Sequence, residues 1–110
     1  MCLTYAENMM YSHLLEEISK AIGARLLLQF SYKGNTLVVE PYLVGKNKLN
    51  EDCLRAWQVS SIDGPVQNPT WQCYTFSGMS NLKILDKRFS NKRPGYDPYD
   101  NSMKHIYYRI

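Results

Sequence analysis

The sequence lacks any long hydrophobic run. Its apolar stretches, such as Leu26–Leu28, are far shorter than the roughly 20 residues that a membrane-spanning helix needs. The N-terminal segment carries Asn and Glu and does not have the profile of a signal peptide. We therefore expect no membrane association and a cytoplasmic location.

Cysteine and histidine are scarce, and neither occurs in a recognisable motif. Cys2, Cys53 and Cys73 have no Cys-x-x-Cys spacing, so we expect reduced thiols and no zinc site. His13 and His105 are far apart in sequence and have no nearby nucleophile and carboxylate to complete a catalytic group. The glycines are dispersed, which excludes a Gly-rich phosphate loop. The sequence thus predicts no enzyme activity, no catalytic residue, no metal site and no cofactor.

The charge is mildly basic. A net charge of +3 and a pI near 8.8 permit an anionic partner, although a dedicated nucleic-acid domain typically has a pI above about 9. The nine tyrosines and two tryptophans suit half-buried strand positions and can also serve as stacking platforms. A length of 110 residues fits a single domain, covering residues 1–110.

Hydrophobic periodicity predicts an N-terminal helix followed by five short strands. Apolar residues three and four apart over 11–22 indicate an amphipathic helix within 1–24, with Asn8 or Ser12 as its cap and Gly23 at its end. Alternation then predicts strands over Arg25–Lys33, Thr36–Val44, Cys53–Ser60, Trp71–Phe76 and Asn81–Asp86. Pro41, which lacks an N–H, suits a bulge or a sheet edge. Short strands at this spacing favour a small barrel over residues 25–89, because closure removes unpaired edges.

A connector and a second helix are predicted over residues 90–110. Within the connector, Pro94-Gly95 suits a type II turn. An apolar stripe at helical spacing then predicts a C-terminal helix; it consists of Met103, Ile106, Tyr107 and Ile110. The predicted fold class is therefore mainly β with flanking helices.

Several short strings, taken in order, resemble the WYL domain family. They are Ile18-x-x-Ala21-Ile22, Phe30-x-Tyr32, Val39-Glu40-Pro41-Tyr42, Leu54-Arg55-Ala56-Trp57 and Arg93-Pro94-Gly95-Tyr96. The match spans about residues 14–110 and is to short standalone members without a helix-turn-helix. The resemblance implies a five-stranded Sm-like β-barrel preceded by a helix, acting as a ligand-sensing or nucleic-acid-sensing module in bacterial transcription and defence proteins.

The sequence departs from that family in two places. Asp52-Cys53-Leu54 stands where the family has its naming Trp-Tyr-Leu, and Gly78 stands where the fourth strand usually ends in a basic residue. If that basic residue holds an anion in relatives, this chain must use another cation or must have lost the role.

The leading functional hypothesis is a regulatory module that binds a nucleotide or a single-stranded nucleic acid through cations and aromatic rings. Arg55 and Trp57 are predicted to be neighbours on one face of the third strand, and Lys92 belongs to a second basic cluster in the connector. The candidate ligand-binding residues are Arg25, Lys33, Lys46, Arg55, Trp57, Arg88 and Arg93. An equally weighted interpretation is that these charges only solubilise the barrel, because acidic residues are interspersed among them.

The alternative function is a protein-interaction or self-association module without a small ligand. The C-terminal apolar stripe either packs on its own barrel, which we favour, or docks on a regulatory partner or a second copy of the chain.

Overall fold

The computed structural model describes residues 5–61, 64–65, 69–90 and 92–110. One helix, α1, spans Tyr5–Ala24. The strands are β1 (Leu26–Tyr32), β2 (Asn35–Asn47), β3 (Asp52–Ser61), β4 (Gly64–Pro65), β5 (Trp71–Thr75), β6 (Met79–Arg88) and β7 (Met103–Arg109). A 3-10 turn, Phe76–Gly78, joins β5 to β6. The fold is mainly β, as predicted, and the five predicted strands correspond to β1, β2, β3, β5 and β6.

Helix α1 buries one face on the sheet. Ile18, Ala21 and Ile22 are fully buried, which agrees with the apolar spacing in the sequence. The helix begins at Tyr5, earlier than predicted, so the predicted caps Asn8 and Ser12 both lie inside it. It is polar on its other face, and no helix of the described residues is long and apolar enough to cross a lipid bilayer.

The long strand β2 lies at the centre of the antiparallel sheet. Its first half pairs with β1, its second half pairs with β7, and β3 runs along nearly all of its other edge. The register between β2 and β3 shifts between Pro41 and Leu43, beside the proline that the sequence assigned to a bulge or an edge. Such a shift bends a strand, which lets β2 serve both halves of the sheet.

The prediction of a closed barrel is wrong, because the sheet is open. Closure would need β5 to pair with β6, whereas in the described residues β5 pairs with β3 and β6 pairs with β1. Side chains, not a backbone ladder, connect β1 to β5: the Tyr32 hydroxyl lies 3.1 Å from Thr75 Oγ1, and the Tyr32 and Tyr74 rings are 5.1 Å apart. These aromatic rings fill the space between the two strands.

The prediction of a C-terminal helix is also wrong, because residues Met103–Arg109 form strand β7. Aromatic and β-branched residues such as Ile106 and Tyr107 favour a strand, and the second half of β2 offers an edge with which they can pair. Gly45 permits the close approach, since a Cβ there would collide with the carbonyl oxygen of His105. The helical spacing of the apolar residues was therefore misleading.

A second hydrophobic cluster lies apart from the main core under α1. It is centred on the fully buried Tyr42, whose ring centre is 4.8 Å from that of Trp71, 5.1 Å from that of Phe89 and 5.3 Å from that of Tyr96. Trp57 packs against the same cluster. Because Phe89 immediately precedes the connector, the segment between β6 and β7, and Tyr96 lies within it, this aromatic cluster fixes the connector on the sheet.

Candidate basic cleft

A cleft of about 440 Å³ lies between the end of β6 and the connector. Four cations line it, in two adjacent pairs: Lys87 and Arg88 at the end of β6, and Lys92 and Arg93 in the connector. One carboxylate, that of Glu40 on β2, also lines it. The net lining charge is +3, and we refer to this feature as the basic cleft.

The Glu40 carboxylate is the anchor of the cleft. Glu40 is only 5 % exposed, and among the described residues it is the one charged side chain that is buried. It accepts two hydrogen bonds from Arg93, from Nε to Oε1 and from Nη2 to Oε2, both 2.8 Å long, and a third of 3.0 Å from the Tyr42 hydroxyl. This paired geometry compensates the cost of burying a carboxylate and fixes the guanidinium plane of Arg93.

The same contacts shift two pKa values. The hydrogen bonds to Glu40 raise the pKa of Arg93 above its usual range, although partial burial of the guanidinium opposes them. Burial raises the pKa of Tyr42, and the adjacent Glu40 carboxylate raises it further. Arg93 is therefore a permanent cation and Tyr42 a permanent hydrogen-bond donor at any physiological pH.

The connector that carries half of these cations is held to the sheet at several points. Trp71 Nε1 donates a 2.7 Å hydrogen bond to the carbonyl oxygen of Pro94, and the Tyr96 hydroxyl donates one of 3.2 Å to that of Ile110. Gly95 has φ +84°, and the N–H of Tyr96 bonds the carbonyl oxygen of Arg93, which confirms the predicted turn. The position of the connector is therefore defined by specific contacts.

Three of the cleft cations retain free charge. Lys87, Arg88 and Lys92 are exposed, and none of them forms an ion pair within the described part of the chain. The ammonium of Lys92 lies 5.7 Å from the centre of the Tyr96 ring, a cation–π distance that leaves its charge unneutralised. The cleft therefore presents a positive surface whose counter-charge must come from outside it.

The structure brings three of the predicted ligand-binding residues together. Arg88 and Arg93 both line the basic cleft, and the guanidinium carbon of Arg93 lies 5.5 Å from the centre of the Trp57 ring. Trp57 is half-buried, and Trp71 packs against it edge-on at 5.5 Å. Arg93 and Trp71 thus already contact the Trp57 ring.

Arg55 belongs to a different site from Trp57, although both lie on β3. Its Nε is 3.2 Å from Asp100 Oδ2, and it lines a smaller cleft of about 240 Å³ together with Trp71 and Tyr96. Arg55 and Trp57 thus share one face of β3, but Arg55 pairs with Asp100 whereas Trp57 contacts Arg93.

The other three predicted residues are Arg25, Lys33 and Lys46, and Arg25 is the one of them that adjoins the cleft. Arg25 follows α1, with φ +59°, and its carbonyl oxygen accepts the N–H of Phe89. Lys33 lies in the β1–β2 turn with its ammonium 5.3 Å from the centre of its neighbour's ring, Tyr32. Lys46 pairs with Asp52 at 3.7 Å. None of the three lines the basic cleft.

Sequence reasoning missed Lys87 and Glu40. The signal for Lys87 was present, since two basic pairs are separated by only three residues. Glu40 gave no such signal, because its burial depends on Arg93, which is 53 residues away in sequence. No group of three or more His, Cys, Asp or Glu side chains in the described residues is arranged to hold a metal ion.

Comparisons with protein-family models, with curated proteins and with solved structures found no match. The geometry of the chain itself is therefore the basis for a functional proposal.

Proposed function

We propose that this chain is a noncatalytic regulatory module that binds the phosphates of a single-stranded nucleic acid or a nucleotide-like ligand in the basic cleft. The observation that carries the proposal is the convergence on one cleft of Lys87, Arg88 and Lys92, exposed and without ion pairs in the described residues. The resemblance to WYL domains, a family of sensing modules, supports the same role.

Arg93 contributes oriented hydrogen-bond donors as well as a positive charge. A guanidinium has five N–H donors, and Glu40 uses two of those on Arg93, so three remain available for a ligand. Because the Arg93 side chain is 42 % exposed, these donors can reach a phosphate in the cleft. Glu40 thus holds Arg93 in a fixed orientation, which lowers the entropy cost of binding.

Phosphate contacts dominate this mode of binding. Arg93 and Trp71 already pack on the Trp57 ring, so stacking of a base on Trp57 makes a small contribution. Contacts to phosphates position a nucleic acid without reading its sequence. We therefore expect binding that tolerates different base sequences and depends strongly on salt.

The test is the fluorescence anisotropy of a labelled oligo(dT) strand of 12 nucleotides, titrated with the protein at 50 and 200 mM NaCl. Each phosphate neutralised on a single strand contributes a slope of about −0.7 to the dependence of log K on log [salt]. Three cleft cations therefore predict a slope of about −2, or a loss of affinity of roughly 20-fold between the two salt concentrations. Competition by unlabelled ATP and by inorganic phosphate distinguishes a nucleotide ligand from a strand.

Arg88→Gln is the variant that tests the site. It removes one exposed cation that has no ion pair in the described residues, so the slope should fall by about 0.7. Lys104→Gln is the matched control, since it removes an exposed β7 cation whose ammonium bonds Asn50 outside the cleft. No salt-sensitive binding at 50 mM NaCl, or equal weakening by both variants, would contradict the proposal.

The interaction-module alternative loses its main support. It relied on the C-terminal apolar stripe, but Met103 is buried against Leu43 and Cys53, and Ile106 packs on the same cluster. The hydroxyl of Tyr107 is bonded to Asp52 within the same chain. These residues of the stripe are thus used internally.

A further inference from the structure

Two cysteines lie next to each other on neighbouring strands, outside the basic cleft. In the antiparallel register of β3 and β5, Cys53 is opposite Thr75 and Arg55 is opposite Cys73. Residues two apart in a strand share a face, so Cys53 and Cys73 are diagonal neighbours on one face of the sheet. Cys53 is buried, with its Sγ 3.6 Å from Met103 Sδ, whereas Cys73 is exposed.

Cys73 also has a cation beside its sulfur. Arg55 Nη1 donates a hydrogen bond to Cys73 Sγ at 3.8 Å, and Nε of the same guanidinium lies 3.2 Å from Asp100 Oδ2. The arginine is thus fixed next to the thiol by a carboxylate on the connector. An exposed cysteine residue beside a fixed guanidinium is in the kind of environment in which a thiol becomes reactive.

The pKa shifts agree with this geometry. The neighbouring thiol of Cys53 lowers the pKa of Cys73, and Arg55 lowers it further, while burial and the charge of Asp100 act in the opposite direction. The neighbouring sulfur of Cys73, together with burial, raises the pKa of Cys53. Cys73 is therefore the thiolate of the pair, and Cys53 keeps its proton.

We propose that Cys73 and Cys53 form a peroxide-reactive pair, in which a hydroperoxide oxidises Cys73 and Cys53 then closes a disulfide. In the first step the Cys73 thiolate attacks the peroxide, an S–O bond forms and the O–O bond breaks. The leaving alkoxide or hydroxide takes a proton from the buffered solvent and becomes an alcohol or water. Sulfur is oxidised by two electrons to the sulfenic acid, and the peroxide is reduced.

In the second step the Cys53 sulfur attacks the sulfenic sulfur. The S–S bond forms, the S–O bond breaks, and the leaving hydroxide takes up the proton of Cys53 to give water. No further oxidant is needed, because the hydroperoxide has already accepted both electrons. The disulfide would link β3 to β5 and would end the contact between Arg55 and the Cys73 thiolate.

The test uses the Cys2→Ser variant, so that only the two cysteines of the pair remain. After treatment with hydrogen peroxide we expect an intact mass lower by two hydrogen atoms and a single peptide that joins Cys53 to Cys73. Before treatment, the pH midpoint of Cys73 alkylation by iodoacetamide should lie at least about one unit below that of an unperturbed thiol near 8.5. An unshifted midpoint, or oxidation to sulfinic acid without the disulfide, would overturn the proposal.

Two variants separate the roles of the neighbours. Cys53→Ala removes the second thiol, so the sulfenic acid should persist on Cys73 and react with dimedone. Arg55→Gln should raise the alkylation midpoint, whereas Arg109→Gln, at an exposed arginine stacked on Tyr99, should leave it unchanged. Equal alkylation midpoints for the two arginine variants would contradict the role of Arg55. If Cys53→Ala does not fold, the alkylation midpoint and the disulfide formation of the Cys2→Ser variant still decide the proposal.

Discussion

The ion pair between Glu40 and Arg93 allows a quantitative test of how the connector is held. Replacing Arg93 by Ala removes both 2.8 Å hydrogen bonds and leaves the nearly fully buried Glu40 carboxylate with the hydroxyl of Tyr42. Breaking a buried pair in this way costs about 3–5 kcal/mol. Because the Arg93 side chain is 42 % exposed and partly screened by water, we expect the lower end, about 3 kcal/mol.

The reverse substitution should cost less. Glu40→Gln keeps the size of the side chain and can still accept the hydrogen bond of Tyr42, and the freed guanidinium of Arg93 can turn to solvent. We therefore expect a loss of about 1–2 kcal/mol, typical of a weakened hydrogen bond to a charged group. The asymmetry follows from the structure, since Glu40 is almost fully buried whereas the Arg93 side chain is partly exposed to water.

The assay is urea and thermal unfolding, followed by tryptophan fluorescence, since Trp57 and Trp71 both lie in the adjoining aromatic cluster. A loss of about 3 kcal/mol in a domain of this size corresponds to a melting temperature lower by about 12 °C. In the double variant Glu40→Gln with Arg93→Ala, the loss in the free energy of unfolding should be about 1–2 kcal/mol smaller than the sum of the two single losses, because the two residues share one interaction.

Arg109→Ala is the control, because it truncates an exposed arginine that stacks on Tyr99 and forms no ion pair in the described residues. It should change the free energy of unfolding by less than about 0.5 kcal/mol. The reasoning fails if Arg93→Ala destabilises the chain no more than Arg109→Ala, or if the double variant is strictly additive.

Two tyrosines give further predictions. The buried hydroxyl of Tyr74 has no hydrogen-bond partner in the described residues. Tyr74→Phe should therefore raise the free energy of unfolding, measured in urea, by about 1 kcal/mol. A lower free energy of unfolding would show that the hydroxyl has a hydrogen-bond partner. Burial, aided by the hydrogen bond to Asp52, raises the pKa of Tyr107 from 10.0 to about 12. Neutral Tyr107 therefore stabilises the folded state fully below pH 10, and this stabilisation is lost as pH rises through 12. Tyr107→Phe should reduce the alkaline loss of folding stability. An unchanged dependence of the free energy of unfolding on pH would contradict this prediction.

The local pattern was sufficient to predict most of the sheet. In β1 the side chains of Leu28 and Phe30 are buried while Gln29 and Ser31 are less so, and this alternation is visible in the sequence. The C-terminal segment failed for the opposite reason, because its apolar residues have helical spacing while its strand partner, β2, is more than 50 residues away. A pairing of that range leaves no local signal.

The candidate site shows the same division. The proximity of Arg88 to Arg93 was predictable because the two lie close together in the sequence, and both line the cleft. Glu40 was not, since its burial and its pairing with Arg93 arise only when the connector packs over β2. Alternation predicted that Arg55 and Trp57 share one face of β3, but it does not identify their partners, so the contacts of Arg55 with Asp100 and of Trp57 with Arg93 were not predictable.

The connector contributes to both proposed sites. Arg93 lines the basic cleft, while Asp100 fixes Arg55 beside Cys73. A substitution that releases the connector, such as Arg93→Ala, would therefore disturb both sites, and a loss of ligand binding in that variant would not distinguish a lost phosphate contact from a displaced connector. Arg88 is outside the connector and has no ion pair in the described residues, so its substitution reports on the charge of the cleft alone.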